Sequence, residues 1–177
     1  HAVSLEPALA ERIEIVRGPA TLLYGSSATG GVVNVLGGRI PSELPGKPIS
    51  GIVDLRGGSA ASEKSGTAGF SGSFGRIAWH LEGAKRETDD YESAEGTVVN
   101  SFSQAESAAI GLSYVGDHGY LGLSTSTFDT LYGSPIEEEV KIDLEQKRVD
   151  LQGEWNRPAG FFKAFKLRAG KNDYEHV

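Results

Sequence analysis

The stretch Ile13-Glu14-Ile15-Val16-Arg17-Gly18-Pro19-Ala20-Thr21-Leu22-Leu23-Tyr24-Gly25-Ser26-Ser27-Ala28-Thr29-Gly30-Gly31-Val32-Val33-Asn34-Val35 decides how this chain reads. Ile13–Val16 is a short apolar strand. Arg17-Gly18-Pro19 breaks it, because proline fixes φ and has no N–H to give, yet suits the first turn of a helix. Ala20–Tyr24 then reads as a short helical turn, with Gly25 as the residue that ends it. Gly30-Gly31 permits a sharp turn or the close approach of another chain. Val32–Leu36 is a second strand, rich in β-branched residues. Gly37–Pro48 holds three prolines and three glycines and reads as a linker.

Past the linker, one kind of element repeats. Seven segments are expected as strands, roughly 49–58, 66–75, 76–87, 106–116, 119–130, 144–156 and 162–172. Each alternates with period two, the mark of a sheet with two unlike faces. Ile77, Trp79 and Leu81 alternate with Ala78, His80, Glu82 and Arg86; Val149, Leu151, Gly153 and Trp155 alternate with Arg148, Asp150, Gln152 and Glu154. A soluble sandwich and a membrane barrel both give such alternation. Length and spacing favour the barrel. The segments run to about 10–13 residues, where a tilted membrane strand needs about 9–11 and a soluble strand about 5–6. Tight joins at Gly75-Arg76 and Gly116–Gly119 alternate with long acidic links near 88–105 and 131–143. Short turns on one side and long loops on the other is the barrel pattern. Tyr114, Tyr120, Trp155, Phe161 and Phe162 are candidates for aromatic girdles at the bilayer interfaces.

Composition narrows the function class. The 177 residues carry 24 Gly and a formal net charge of -7. The acidic balance speaks against a nucleic-acid partner, which needs clustered Lys and Arg. Without cysteine there is no disulfide and no thiolate metal site. No run approaches the ~20 apolar residues of a membrane helix. Residues 1–12 have no signal-peptide core, so for an exported protein the true N-terminus is expected upstream. Gly25–Gly31 lacks the Gly-Lys-Ser/Thr of a phosphate loop. Thr29 stands where a Gly-x-Ser-x-Gly elbow needs glycine. The expectation is a protein that is not an enzyme.

At residues 13–35 the chain resembles the plug domain of TonB-dependent outer-membrane receptors. The order of elements matches: strand, Arg-Gly-Pro turn, apolar turn closing in Tyr-Gly, small-residue loop, Gly-Gly-Val-Val-Asn strand. The resemblance implies a mostly β fold, a fragment of a transmembrane antiparallel β-barrel with part of an N-terminal α+β plug. Residues 1–40 would be the end of the plug, 41–48 the linker and 49–177 the first barrel strands. Barrels of this class have about 22 strands, so seven would cover about a third of one. It also implies an importer of the Gram-negative outer membrane, set among its lipids. A TonB energy-coupling complex would pull on the plug through an N-terminal box lying outside this chain. No cofactor is required. Thr88-Asp89-Asp90-Tyr91, Asn100-Ser101-Phe102, Tyr132-Gly133-Ser134-Pro135, Glu139–Gln146 and Lys171–His176 are similar to the zinc-uptake subgroup. Zinc is therefore the favoured cargo, but that subgroup's His-rich loop is here only Ile136-Glu137-Glu138-Glu139, which keeps haem or a ferric siderophore as alternatives. A soluble secreted β-sandwich or adhesin-like binding module is the alternative.

Candidate sites follow. By the resemblance, Arg17, with Glu14 beside it, would lock the plug to carboxylates of the barrel wall. Gly18, Pro19, Gly25, Gly30 and Gly31 would set plug backbone geometry. His80 and Glu82, two apart on a polar face, are candidate metal ligands, but imidazole and carboxylate make a zinc site only where three or four converge, and two alone read more readily as a lumen-facing polar pair. Glu137, Glu138, Glu139 and His176 are the remaining metal candidates; the glutamates lie with Asp143 in an expected acidic loop.

Overall fold

The computed structural model describes residues 9–18, 30–156 and 162–176, with the backbone alone at Leu36, Glu137, Glu138 and Glu139. Pro19, Gly25, Phe161 and the helical turn expected at Ala20–Tyr24 lie outside the described residues.

A two-stranded unit comes first. Strand β1 (Ala10–Arg17) pairs antiparallel with β2 (Gly31–Gly37), placing Ile13 opposite Val35 and Arg17 opposite Gly31. Gly18 and Gly31 have positive φ, 85° and 142°. A Cβ at Gly31 would run into the Val16 carbonyl, which explains the glycine there.

The main body is one antiparallel sheet. Its strands are β3 (Ile49–Gly58), β4 (Glu63–Phe74), β5 (Ile77–Thr88), β8 (Ser103–Gly116), β9 (Gly119–Ser134), β10 (Glu137–Asn156) and β11 (Ala164–His176), each beside its predecessor. A small hairpin, β6 (Glu92–Ser93) with β7 (Gly96–Thr97), sits in the β5–β8 connection. All seven expected strands form, and most run longer than expected. The largest difference is at 131–143. This is not a long loop: β9 runs to Ser134 and β10 starts at Glu137, around a turn at Pro135-Ile136, with a register irregularity between Glu137 and Lys141. The Glu137–Glu139 backbone is therefore strand. Val140, Ile142 and Leu144 keep the period-two pattern going, and proline takes the turn, where its missing N–H costs no ladder bond.

Register assigns the faces. His80 stands opposite Ser71 and Gly111, Gly111 opposite Ser124, and Ser124 opposite Asp150. One row along, Leu81 stands opposite Phe70 and Ile110, and Leu112 pairs with Leu123. The second face is apolar and open: Phe70, Phe74, Ile77, Leu81, Ile110, Leu112, Tyr114, Leu121 and Leu123 are all exposed. Toward the long-connection edge it turns charged in one step, in the row Lys85–Glu106–Asp129–Glu145. From Ile77 to Gly83 the apolar stretch rises about 20 Å along the strand, of the order of the ~25 Å lipid-facing band of an outer-membrane barrel. A sandwich would cover this face with a second sheet; among the described residues nothing covers it. Tyr114 and Trp155 lie on it near the short-turn edge, as girdle residues should. Tyr120 does not: it shares the parity of Gly122 and Ser124 and faces inward.

Candidate functional site

The inner face is where chain segments meet. The Gly/Pro-rich segment expected as a linker lies across it. Three consecutive residues, Arg39, Ile40 and Pro41, seat on β5, β8 and β9. Arg39 Nε donates to Glu82 Oε1 at 2.5 Å and Arg39 Nη1 to Ser126 Oγ at 3.3 Å. Its carbonyl lies where a side chain on Gly111 would be. Ile40 is buried, with Cγ2 against Gly122. Ser113 Oγ donates to the Pro41 carbonyl at 2.5 Å. Further along, Ser73 N–H reaches the Pro48 carbonyl at 3.3 Å. The wall under this clasp is built of small residues: Ala78, Ala109, Gly111, Ser113, Gly122 and Ser124 are all buried. Alternation puts them on one face; their size leaves a trough as deep as a backbone.

Glu82 is the charged centre of the clasp. Its side chain is 3% exposed, whereas that of Arg39 is 36% exposed. A buried carboxylate needs its lone pairs filled, and Glu82 has two partners. Arg39 takes Oε1; His80 Nε2 lies 3.0 Å from Oε2. The far side of the imidazole, Nδ1, is 2.7 Å from Ser71 Oγ on β4. A chain Ser71–His80–Glu82–Arg39–Ser126 therefore links β4, β5, the 38–48 segment and β9. Hydrogen bonds to an ionised group are stronger than neutral ones, and burial strengthens them further.

The expected sites fare differently. His80 and Glu82 do lie together on the inner face, but they bind each other, Ser71 and Arg39. Among the described residues no three His, Cys, Asp or Glu side chains converge as a metal site. His176 is on β11, four strands from β5 in the sheet. At about 4.8 Å per strand that is roughly 19 Å, too far to share an ion with His80. It stacks instead near Tyr174, with ring centroids 6.4 Å apart. Glu14 pairs with Arg12 at 2.6 Å and accepts from Asn34 Nδ2 at 3.0 Å, so it braces the β1–β2 hairpin from within. Arg17 is exposed and meets no carboxylate among the described residues. The plug-type contact that the described residues do make to the wall is Arg39 to Glu82. The sequence singles out His80 and Glu82 together, as metal candidates that read more readily as a lumen-facing polar pair, but does not single out Arg39.

Between the hairpin and the inner faces of β9, β10 and β11 lies a polar space of about 670 Å³. Its lining includes Arg12, Tyr120, Gln146, Gln152 and Arg168. Arg148 grips Asp150 there with two bonds, 2.6 and 2.7 Å. At the short-turn edge, Arg76 holds the exposed Asp117 at 2.9 Å, which raises the guanidinium pKa above its usual value.

Comparison with known proteins agrees with this arrangement. The family described as "TonB-dependent Receptor Plug Domain" matches residues 1–32. The vitamin B12 transporter BtuB of Photobacterium profundum is 37% identical over 139 residues, 71% of this chain and 21% of that protein. The hemin receptor of Yersinia pestis is 76% identical over 33 residues, 19% of this chain and 5% of that protein. Among solved structures, the copper transporter OprC superposes with a TM-score of 0.78 at 15% identity, over 96% of this chain and 26% of its own. The chain thus spans about a fifth of the length of the B12 transporter and a quarter of OprC. The likeness to OprC shows the fold: an antiparallel barrel wall with a plug-type segment before it. The chain is related to the TonB-dependent receptors, which are outer-membrane proteins of Gram-negative bacteria.

Proposed function

We infer that the protein to which this chain belongs imports a metal complex across the outer membrane, with the plug rearranged by a TonB-type energy-coupling complex. The observation that carries this is the clasp. A plug-type segment is seated by a buried ion pair on the inner face of a wall whose outer face is apolar. Such a design holds a stopper inside a pore and needs no covalent chemistry. Residues 1–40 serve as the end of the stopper, 41–48 cross the wall and 49–177 build it. Arg39 and Glu82 are the lock here. Arg17 is a further lock candidate whose partner would lie on wall strands outside the described residues. The energy-coupling contact would be made by a box N-terminal to this chain.

For the cargo, relatives are named for vitamin B12, hemin and copper. A bare zinc ion needs three or four converging ligands. A complex is held through its organic periphery instead, so haem is our first choice, with a ferric siderophore or zinc behind it. The test is uptake by a receptor-deleted strain carrying the full-length protein, supplied in turn with haemin, cyanocobalamin, a ferric siderophore and zinc chloride. Haemin uptake that disappears when TonB is deleted is expected. Zinc uptake alone would remove the metal-complex assignment. Uptake of any of them that persists without TonB would remove the mechanism. Extraction into buffer without detergent would return the soluble binding module.

A further inference from the structure

The motifs at 88–91, 100–102, 132–135 and 139–146 are far apart in sequence and have no part in the clasp. The structure brings the first three, and Val140 and Lys141 of the fourth, to one place, at the edge of the sheet that carries the β5–β8 connection. Asp90 lies in the β5–β8 connection. Its Oδ1 accepts from the backbone N–H of Ser101 at 2.7 Å and Phe102 at 2.9 Å, and its Oδ2 from Asn100 N–H at 3.1 Å. Three successive amides on one carboxylate fix the returning chain. They hold Asn100 at φ 60°, a left-handed conformation that asparagine tolerates better than most residues.

Asn100 is 5% exposed, and its side chain reaches into the next connection. Nδ2 donates to the Ser134 carbonyl at 3.1 Å and to the Val140 carbonyl at 2.8 Å, on either side of the β9–β10 turn. Gly133 N–H donates to the Phe102 carbonyl at 3.1 Å. A side chain at Gly133 would overlap Asn100, so that glycine is required by the contact. Lys141 Nζ sits 5.6 Å from the centre of the Phe102 ring, within range of a cation–π attraction. The same connection is tied on its other side: Asp89 N–H donates to the Ala61 carbonyl at 2.8 Å and Glu92 N–H to that of Ala60 at 3.2 Å, in the β3–β4 turn.

We propose that Asp90 and Asn100 form a latch that fastens the β5–β8 and β9–β10 connections into a single body at the outer rim, with the β3–β4 turn tied on through the backbone amides of Asp89 and Glu92, giving incoming cargo a fixed entrance rather than independent flaps. The outer placement rests on the proposed function; the latch itself does not. Backbone carbonyls flanking a turn normally find water. Here both are taken by one buried amide, so the β9–β10 turn cannot move without the β5–β8 connection. Asp90 and Asn100 are positioning residues: they act on cargo only through the surface they hold.

The test uses the full-length receptor, freed of other cysteines and reconstituted in bilayers. Spin labels go on Glu95→Cys, in the β6–β7 hairpin, and on Ile136→Cys, in the β9–β10 turn. Both residues are exposed. A narrow distance distribution is expected in the parent. Asn100→Gly keeps the left-handed backbone and removes only the amide. It should broaden the distribution about twofold by releasing a local unit. Asn100→Asp, which loses the donor, should do the same. Labels on Arg76→Cys and His118→Cys, at the short turns, should not broaden, and the thermal stability of the barrel should hold. An unchanged Glu95–Ile136 distribution in Asn100→Gly overturns the latch. So does a broadening that appears equally at the short turns, which would mean general unfolding. Failure of an impermeant maleimide to reach Glu95→Cys on intact cells, with the broadening still seen, would overturn the outward orientation and leave the latch standing.

Discussion

Replacing Arg39 with alanine should open the clasp, by an amount the structure sets. Removing one partner of a fully buried ion pair costs about 3–5 kcal/mol, because the other charge is left stranded. Two features lower that here. The Arg39 side chain is 36% exposed, so water replaces part of what it gave. His80 still holds Glu82 Oε2 at 3.0 Å. About 2 kcal/mol is the reasonable expectation, which is roughly a 30-fold rise in the open population at 1.4 kcal/mol per tenfold. Ile40 reports it. Buried against Gly122, Ile40→Cys should react slowly with a maleimide in the full-length receptor, and about 30-fold faster once Arg39→Ala is added. Glu82→Ala alone should act in the same direction. The double variant should react less than the product of the two singles predicts, since no stranded carboxylate remains. A rate within twofold of the parent in Arg39→Ala would refute the lock. So would single effects that simply multiply, for then the two residues do not act through each other.

Three other outcomes follow from the same geometry. Gly111→Ala puts a methyl where the Arg39 carbonyl lies and should raise Ile40→Cys labelling at least as much as Arg39→Ala, with the wall still folded by its heat-modified gel mobility. Leu81→Lys, on the open apolar face, should lower folding stability in lipid vesicles by about 2–4 kcal/mol, while Gln152→Lys, lining the polar inner space, should cost far less. Equal costs would mean that the two faces are wrongly assigned. Arg76→Ala breaks a pair whose members are both well exposed, so denaturant unfolding should show no measurable change.

The strands were legible because alternation survives any tilt or curvature of the wall: Ile77, Trp79 and Leu81 against His80 and Glu82 need only period two. The 131–143 region misled because proline and a run of three glutamates signal a loop locally, while the strand there is held by pairing with β9, which sequence does not display. Arg39 was hidden for the opposite reason. Its segment has the composition of a linker, and its partners lie 43 and 87 residues away. One trace was present: small residues at alternate positions of β8 and β9, Ala109, Gly111 and Ser113, then Gly122 and Ser124. They are too small to fill a core and imply that something lies over them. The pairing of His80 with Glu82 was visible in their spacing. That they serve a guanidinium rather than a metal depends on the return of a distant segment.

That return has a consequence for how the molecule is made. Every strand of the wall lies beside its predecessor, so the sheet can grow hairpin by hairpin in chain order. The clasp cannot. Arg39 precedes all seven wall strands, yet Ser126, which receives it, is 87 residues further on in β9. Its seat does not exist until β5, β8 and β9 are side by side. The segment must therefore wait, unsatisfied, through most of this stretch's assembly, and its arrival marks the point at which the growing wall closes over what precedes it. Before that step Glu82 keeps His80, on its own strand, as a side-chain partner and lacks the guanidinium that completes its seat.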